Sequence, residues 1–475
     1  MRLVAVILAV AEALSAVTPS FDSSKSVKLA IKTAARVLDE GIDAEKAVRA
    51  SLRRAESARG ARRRVAVGVL GMTVWRRRLE AISVAAFGEA TPNVMLACFW
   101  LCVKRDVVEA SRYVGSWGLA RLVAAAPLWY ITRRTLPNEV FAAIRDSLGP
   151  REARSYGRAC DRPGPTTLRL NRPFDDPALR LRPLSTRGAV RVEWRGRSLR
   201  STEAWRNGGF EVQAESSQCA ALATRARPGQ RILDCCAGRG GKTLALLAMG
   251  ARVAPDDTDL DALRQIPASA RRANAADRLE SPARGDFDVV LVDAPCSSTG
   301  VLRRHPSLRW QLDHRPWENL PQTQLDILLE ASDRLKTGGI LVYATCSVLR
   351  AENLGVTRKF EDLRSDDFAP LPFDEDEDPA FGWRPRAHRD VANRALARSL
   401  GIRTKGRKSR ASDSDDDPRL LRPHELLFLP QVHGDTFDGF FIARFVRRSL
   451  HPACASSSED QEEEEEEEEV AAAAG

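Results

Sequence analysis

The stretch RILDCCAGRGGKT, residues 231–243, decides the reading of the fold. Ile232–Leu233–Asp234 is a short apolar run of the kind that forms a buried strand. Gly238, Gly240 and Gly241 then permit a tight turn, and a helix is expected to run on through Leu247. A helix opening at such a turn points its free amides at the loop, which suits a nucleotide-like ligand held by backbone donors. The spacing is not that of a phosphate-binding GxxxxGK[ST] loop, whose first glycine is missing. Further along, Val289–Val290–Leu291–Val292 and Gly339–Ile340–Leu341–Val342–Tyr343 read as two more buried strands, and Phe440 to Phe445 as a closing one. Apolar runs on strands that alternate with helices indicate an α/β fold, a parallel sheet covered on both faces.

Two cysteine motifs follow these strands directly. The first is Asp293-Ala294-Pro295-Cys296-Ser297-Ser298-Thr299-Gly300, and the second is Tyr343-Ala344-Thr345-Cys346-Ser347. A single cysteine at a strand end is more often a small core residue than a nucleophile. Two at equivalent carboxyl ends, beside a glycine turn, point to chemistry, because open α/β sheets bind their ligands there. Asp257-Thr258-Asp259, at the expected end of the second strand, admits two readings: a carboxylate for ribose hydroxyls or a helix N-cap.

At 475 residues the chain needs two or three domains. Its net charge of +9 understates how basic the body is, since Glu459, Asp460 and Glu462 to Glu469 concentrate acid in a low-complexity tail. Such a body favours a polyanionic partner, nucleic acid first, with a general arginine bias as the plain alternative. Nine cysteines in irregular spacing give neither a disulfide framework nor a metal site, so reduced thiols and no metal are expected. Residues 1–22 carry Arg2, the apolar run Leu3 to Leu14 and small residues, which fits a cleaved targeting segment or, equally, an amphipathic helix or a false start. No other stretch reaches membrane-spanning length without charges, so no membrane association is expected. Residues 25–125 read as helices whose arginine clusters, such as Arg62 to Arg64 and Arg76 to Arg78, form either a solvated face or an RNA-facing one. A proline-punctuated segment, 130–210, includes the strand-like Thr167 to Asn171. The α/β domain is expected over 211–448 with a polar insertion at about 374–420, and a structureless tail over 449–475.

The motifs "DAPCSSTGVLRRHPSLRW" and "LKTGGILVYATCSVLRAEN", with Phe210-Glu211-Val212-Gln213 before them and Asp438-Gly439-Phe440-Phe441 after, resemble the Sun/Fmu branch of RNA cytosine-C5 methyltransferases. More loosely, 25–125 resembles the NusB-like helical domain of that branch. The resemblance implies a Rossmann-like class I methyltransferase sheet, doubly wound, preceded by an all-α RNA-binding domain and a small α+β linker. It implies Cys346 as nucleophile, Cys296 as the residue that releases the enzyme from the methylated base, and Asp293 against the cytosine ring edge. It places S-adenosylmethionine on Cys236, Ala237, Gly238, Arg239, Gly240, Gly241 and Lys242, with Asp257 on the ribose and Asp277 and Asp293 completing the cofactor site. The implied partner is RNA, small-subunit ribosomal RNA above all, met by a monomer with no role for DNA. An enzyme of that branch with a cleaved leader implies a plastid, with nucleus, nucleolus or cytoplasm as alternatives. The competing reading from another class is a non-catalytic ribosome-assembly factor that keeps the fold. A DNA cytosine methyltransferase draws its nucleophile from the PC motif alone, so the second cysteine favours RNA. Three departures stand out. Gly238 and Arg239 replace the usual Ala-Pro of the turn, Pro255 and Asp256 interrupt the expected second strand, and Pro267 sits where a helix should run.

Overall fold

In the computed structural model, residues 25–53, 59–125, 135–174, 176–194, 198–281, 286–312, 315–373, 384–402 and 417–449 are described. The expected targeting segment 1–22, most of the acidic tail and the charged stretches 374–383 and 403–416 lie outside them.

Among the described residues five α-helices build the first unit, α1 (Lys25–Leu38), α2 (Ala44–Arg53), α3 (Arg59–Phe87), α4 (Pro92–Cys98) and α5 (Val107–Ala125), with a π-helical turn, Phe99–Lys104, after α4. In α1, Val27, Ala30, Ala34 and Val37 recur at three- and four-residue spacing, and all are buried. They meet Val69, Met72, Leu79 and Ile82 of α3 and Leu96 of α4 in one core. Among the described residues no single helix is long and apolar enough to cross a membrane.

Helix α6 (Asn138–Cys160) leads out of this unit and bends at Gly149, where φ is 78° and Pro150 follows. Val140, Ile144, Leu148 and Tyr156 of α6 bury into the core of the α/β domain. A small antiparallel sheet comes next, with β1 (Thr167–Leu170), β2 (Arg180–Pro183), β3 (Ala189–Glu193) and β4 (Phe210–Val212) in the order β2-β3-β1-β4. Only β1 is anticipated by sequence. β2 is exposed apart from half-buried Leu181, so it has no apolar alternation to betray it.

The large sheet carries β5 (Arg231–Cys235), β6 (Arg252–Asp256), β7 (Phe287–Asp293), β8 (Leu335–Thr345), β9 (Phe368–Pro370), β10 (Glu425–Phe428) and β11 (Phe440–Arg447). Its order is β10-β11-β8-β7-β5-β6, with β9 also on β11. The strands β6, β5, β7 and β8 are parallel, while β9, β10 and β11 are antiparallel additions. The sheet is therefore mixed rather than wholly parallel. Val289 to Val292 and Leu341 to Ala344 are all 1% exposed or less, as the unbroken apolar runs require.

Two of the noted departures are corrected here. β6 forms despite Pro255, because it is the outermost strand of the order, joined on its far side by a single bridge from Val253 to Leu279. A proline at such an edge removes an amide that the ladder does not use. Pro267 lies in the first turn of a helix, Ile266–Arg272, where its missing amide and fixed φ do no harm. Within the expected polar insertion the chain also forms a helix, Pro385–Leu400, which packs on α6.

Candidate active site

Parallel register gathers the site. Cys235 lies opposite Asp256 on one side and Val292 on the other, and Asp293 lies opposite Ala344. The loops that leave these strands thus emerge side by side: the turn 236–241, Asp257, the 293–300 loop and the segment after Thr345.

In the turn, Cys236, Gly238 and Gly240 take φ of 58°, 54° and 79°. Gly240 immediately precedes the helix Gly241–Ala248, and a Cβ on it would lie 2.9 Å from Ile266 Cγ1. At Gly238 and Gly241 a Cβ would meet nothing within 4 Å, so the outer face of the turn is open. The Ala237 amide donates to Asp256 O at 3.0 Å, and Arg239 is exposed. Asp257 accepts the Gly238 amide at 2.7 Å and the Asp259 amide at 2.8 Å, so it braces the turn directly. Asp259 caps a short helical turn at Ala262 and is the N-cap of the pair. Asp277 is exposed on a separate turn, 3.3 Å from Arg278. Lys242 is 8% exposed and pairs with Asp293 while lying 5.3 Å from the centre of the Phe440 ring. Burial opposes the Lys242 charge, but Asp293 outweighs it and holds the ammonium above its ordinary pKa.

Cys296 Sγ and Cys346 Sγ lie 3.3 Å apart, each partly exposed. Ser298 Oγ is 3.5 Å from Cys346 Sγ, and Ser298 holds a φ of 56° to put it there. Contact with the Cys296 thiol, despite burial, brings the Cys346 pKa below its ordinary value, and Ser298 adds to the effect. The same contact, with burial, pushes Cys296 well up. The two thiols are thus shifted in opposite directions, Cys346 toward the thiolate and Cys296 away from it.

Buried polar groups fix both loops. The Glu352 carboxylate accepts the Ser297 amide at 3.1 and 3.2 Å and the Ser297 hydroxyl at 2.9 Å. Asn353 takes Thr345 Oγ1 at 2.6 Å and donates to Ser347 O at 3.0 Å. Gly300 donates to Cys346 O at 2.8 Å and accepts from the Gly439 amide at 3.0 Å. A Cβ on Gly300 would sit 1.9 Å from Gly439 O, so the approach requires glycine. The structure thus brings together Cys296, Cys346, Asp293 and Lys242, and sets the turn and Asp257 beside them. Asp277 makes its recorded contact elsewhere. Ser298, Glu352 and Asp438 were not singled out from sequence; all three lie inside the quoted motifs, but nothing in their spacing marks them.

Residues 221–446 match the family model described as 16S rRNA methyltransferase RsmB/F. Over these residues the chain is similar to RsmB/F-type methyltransferase domains. Ribosomal RNA small subunit methyltransferase B of Salmonella newport (strain SL254) is 40% identical to the chain over 164 residues, covering 32% of this chain and 38% of that protein. The same-named protein of Salmonella paratyphi B (strain ATCC BAA-1250 / SPB7) is 39% identical over an equal length and equal shares. The match therefore spans well under half the length of these curated relatives. The crystal structure of PH0851 superimposes with a TM-score of 0.64 at 17% identity, covering 90% of this chain and 100% of that one. That likeness of fold takes in the RsmB/F domain together with segments before it.

The division of the thiols gives a direct test. Alkylation by iodoacetamide reads the thiolate, so the rate at Cys346 should show its inflection at a pH below the ordinary thiol value. In Cys296→Ala the inflection should move up, because the donor that favours the thiolate is gone. Peptide mass spectrometry against pH measures both, and a wild-type inflection at or above the ordinary thiol value would sink the assignment.

Proposed function

We propose that this chain is an S-adenosylmethionine-dependent methyltransferase that modifies carbon 5 of a cytosine in RNA, with small-subunit ribosomal RNA as substrate. The observation that carries the reading is the meeting of two thiols from separate strand ends, 3.3 Å apart, beside the Lys242–Asp293 pair. The RsmB/F match and the names of the curated relatives support the RNA class.

The glycine turn fits the cofactor. Its open face over Gly238 and Gly241 leaves backbone room, and half-buried Asp257 stands where ribose hydroxyls would lie. When bound there, S-adenosylmethionine supplies an electrophilic methyl group. Residues Cys236 to Lys242, Asp257 and Asp293 would hold it, while the exposed placement of Asp277 leaves that residue out of the set.

Cytosine C5 is a poor nucleophile until a thiolate adds at C6, which makes the ring enamine-like. Cys346 is the thiol kept as thiolate. Asp293 is assigned to the ring edge, where its carboxylate can accept from the exocyclic amine, and its partner Lys242 supplies the positive charge that offsets the negative charge developing on addition. Once C5 carries the methyl group, a base must take the C5 proton as the C6–S bond breaks and Cys346 leaves as thiolate, and Cys296, 3.3 Å from that sulfur, is the neighbour assigned to this step. The base has to leave any stack to be attacked from its face, so the target is unpaired or flipped.

The test is transfer of labelled methyl from S-adenosylmethionine to a small-subunit ribosomal RNA transcript, with nucleoside analysis of the product. The expected product is 5-methylcytidine. No transfer by protein that still binds RNA would favour the assembly-factor reading instead.

A further inference from the structure

A cleft of about 700 Å³ opens between α6 and the helix Pro385–Leu400. Arg151 and Arg158 line it from α6, seven residues apart and so on one stripe of the helix, and Arg162 follows just past the helix end. Arg398 faces them from the other helix, and Arg303 forms part of the floor. Arginines elsewhere on the surface are commonly matched with acid, as in Arg315 with Glu139 and Arg364 with Asp333. Here Arg158 touches the Ser155 hydroxyl at 3.0 Å and Arg398 the Arg394 carbonyl at 3.1 Å. Among the described residues no carboxylate pairs with Arg151, Arg158, Arg162 or Arg398. Two acids lie in the cleft. Glu152 is buried, 3.5 Å from Gln431, and Asp435 is already engaged by Arg191 at 3.5 Å.

Like charges gathered along two facing helices repel one another, and a fold tolerates them cheaply only where water or a polyanion answers the field. The cleft is also tied to the chemistry. Arg303 donates to Asp438 at 2.6 Å, and the neighbouring Gly439 amide bonds Gly300, which in turn bonds Cys346 O. The cleft and the Cys346 loop are thus joined through Arg303, Asp438, Gly439 and Gly300.

We propose that this cleft is a phosphodiester track, which grips the RNA strand beside the target cytosine through Arg151, Arg158, Arg162 and Arg398. The identity of the polyanion rests on the methyltransferase reading above, while the track itself rests on charge and shape.

The experiment measures binding of the full chain to a small-subunit ribosomal RNA transcript as salt is varied, together with methyl transfer at several RNA concentrations. The triple variant Arg158→Gln, Arg162→Gln, Arg398→Gln removes exposed charge only and should fold as the parent does. Its plot of log affinity against log salt should be shallower by roughly 2, with binding weaker by about tenfold or more at low salt. Methyl transfer should show the loss in KM with kcat kept. Lysine at the same three positions should restore the slope, since a phosphate needs only the charge. Unchanged affinity and slope in the triple variant would overturn the track, as would a parent protein that binds no RNA. Loss of binding in the variant, with no methyl transfer by the parent, would keep the track and remove the methyltransferase reading. Intact KM in an active variant would do the reverse.

Discussion

Alanine at Cys346 is expected to lower methyl transfer by on the order of 10³-fold or more, while alanine at Cys296 is expected to leave the protein covalently joined to its RNA. The asymmetry follows from the geometry of one sulfur pair. Cys346, its pKa lowered by Cys296 and Ser298, is the group able to add to the ring. Cys296, pushed well up, holds its proton within 3.3 Å of the sulfur that must leave. Without Cys296 the ring can still be attacked, because Cys346 remains, but the release step loses its neighbour. A protein–RNA band resistant to denaturing gel electrophoresis, present in Cys296→Ala and absent from the double variant, is the result to look for. Equal loss of activity in both single variants, with no band in either, would refute the division of labour.

The second large effect is on stability. Arg309 is fully buried, and its guanidinium donates to Val74 O at 3.2 Å, Cys160 O at 3.0 Å and Leu302 O at 3.3 Å, with Asp161 at 3.6 Å. These partners belong to the helical unit, to α6 and to the loop that carries Cys296. Trp310 adds a bond from its indole N–H to Thr73 O at 2.8 Å. Arg309→Ala strands several buried acceptors and leaves Asp161, whose pKa burial already raises to about 6, without its nearest guanidinium. The cost should be about 3–5 kcal/mol. Denaturant unfolding and limited proteolysis should show an earlier transition with the helical unit released first. A shift below about 1 kcal/mol would mean that the docking is held elsewhere.

Much of the α/β domain was legible because its signals are local. The run 231–243 announces strand, turn and helix in thirteen letters, and both cysteine motifs directly follow apolar runs. Other features depend on partners far away in sequence. Pro255 looked disruptive because an edge position is a property of the sheet, not of the strand. β2 was invisible because only Leu181 among its residues turns inward, and the helix Pro385–Leu400 because charged neighbours on both sides dilute its pattern. Asp277 was assigned by its place in an alignment of motifs, and the fold carries it to an exposed turn. Ser298 and Glu352 could not be told from their neighbours, since what distinguishes them is a left-handed φ and a buried hydrogen bond.

β11, although last among the strands in sequence, is not last in space. It lies between β10 and β8, with Phe441 opposite Thr345, the residue before Cys346. Gly439 at its start closes the bond to Gly300 that holds the Cys346 carbonyl. During synthesis, β8 and both thiols therefore leave the ribosome about a hundred residues before the strand that aligns them. Until β11 inserts, β8 has a bare edge and the two sulfurs have no common clamp. Order at the thiol pair is thus acquired late, when β11 takes its place against β8 and Gly439 reaches Gly300.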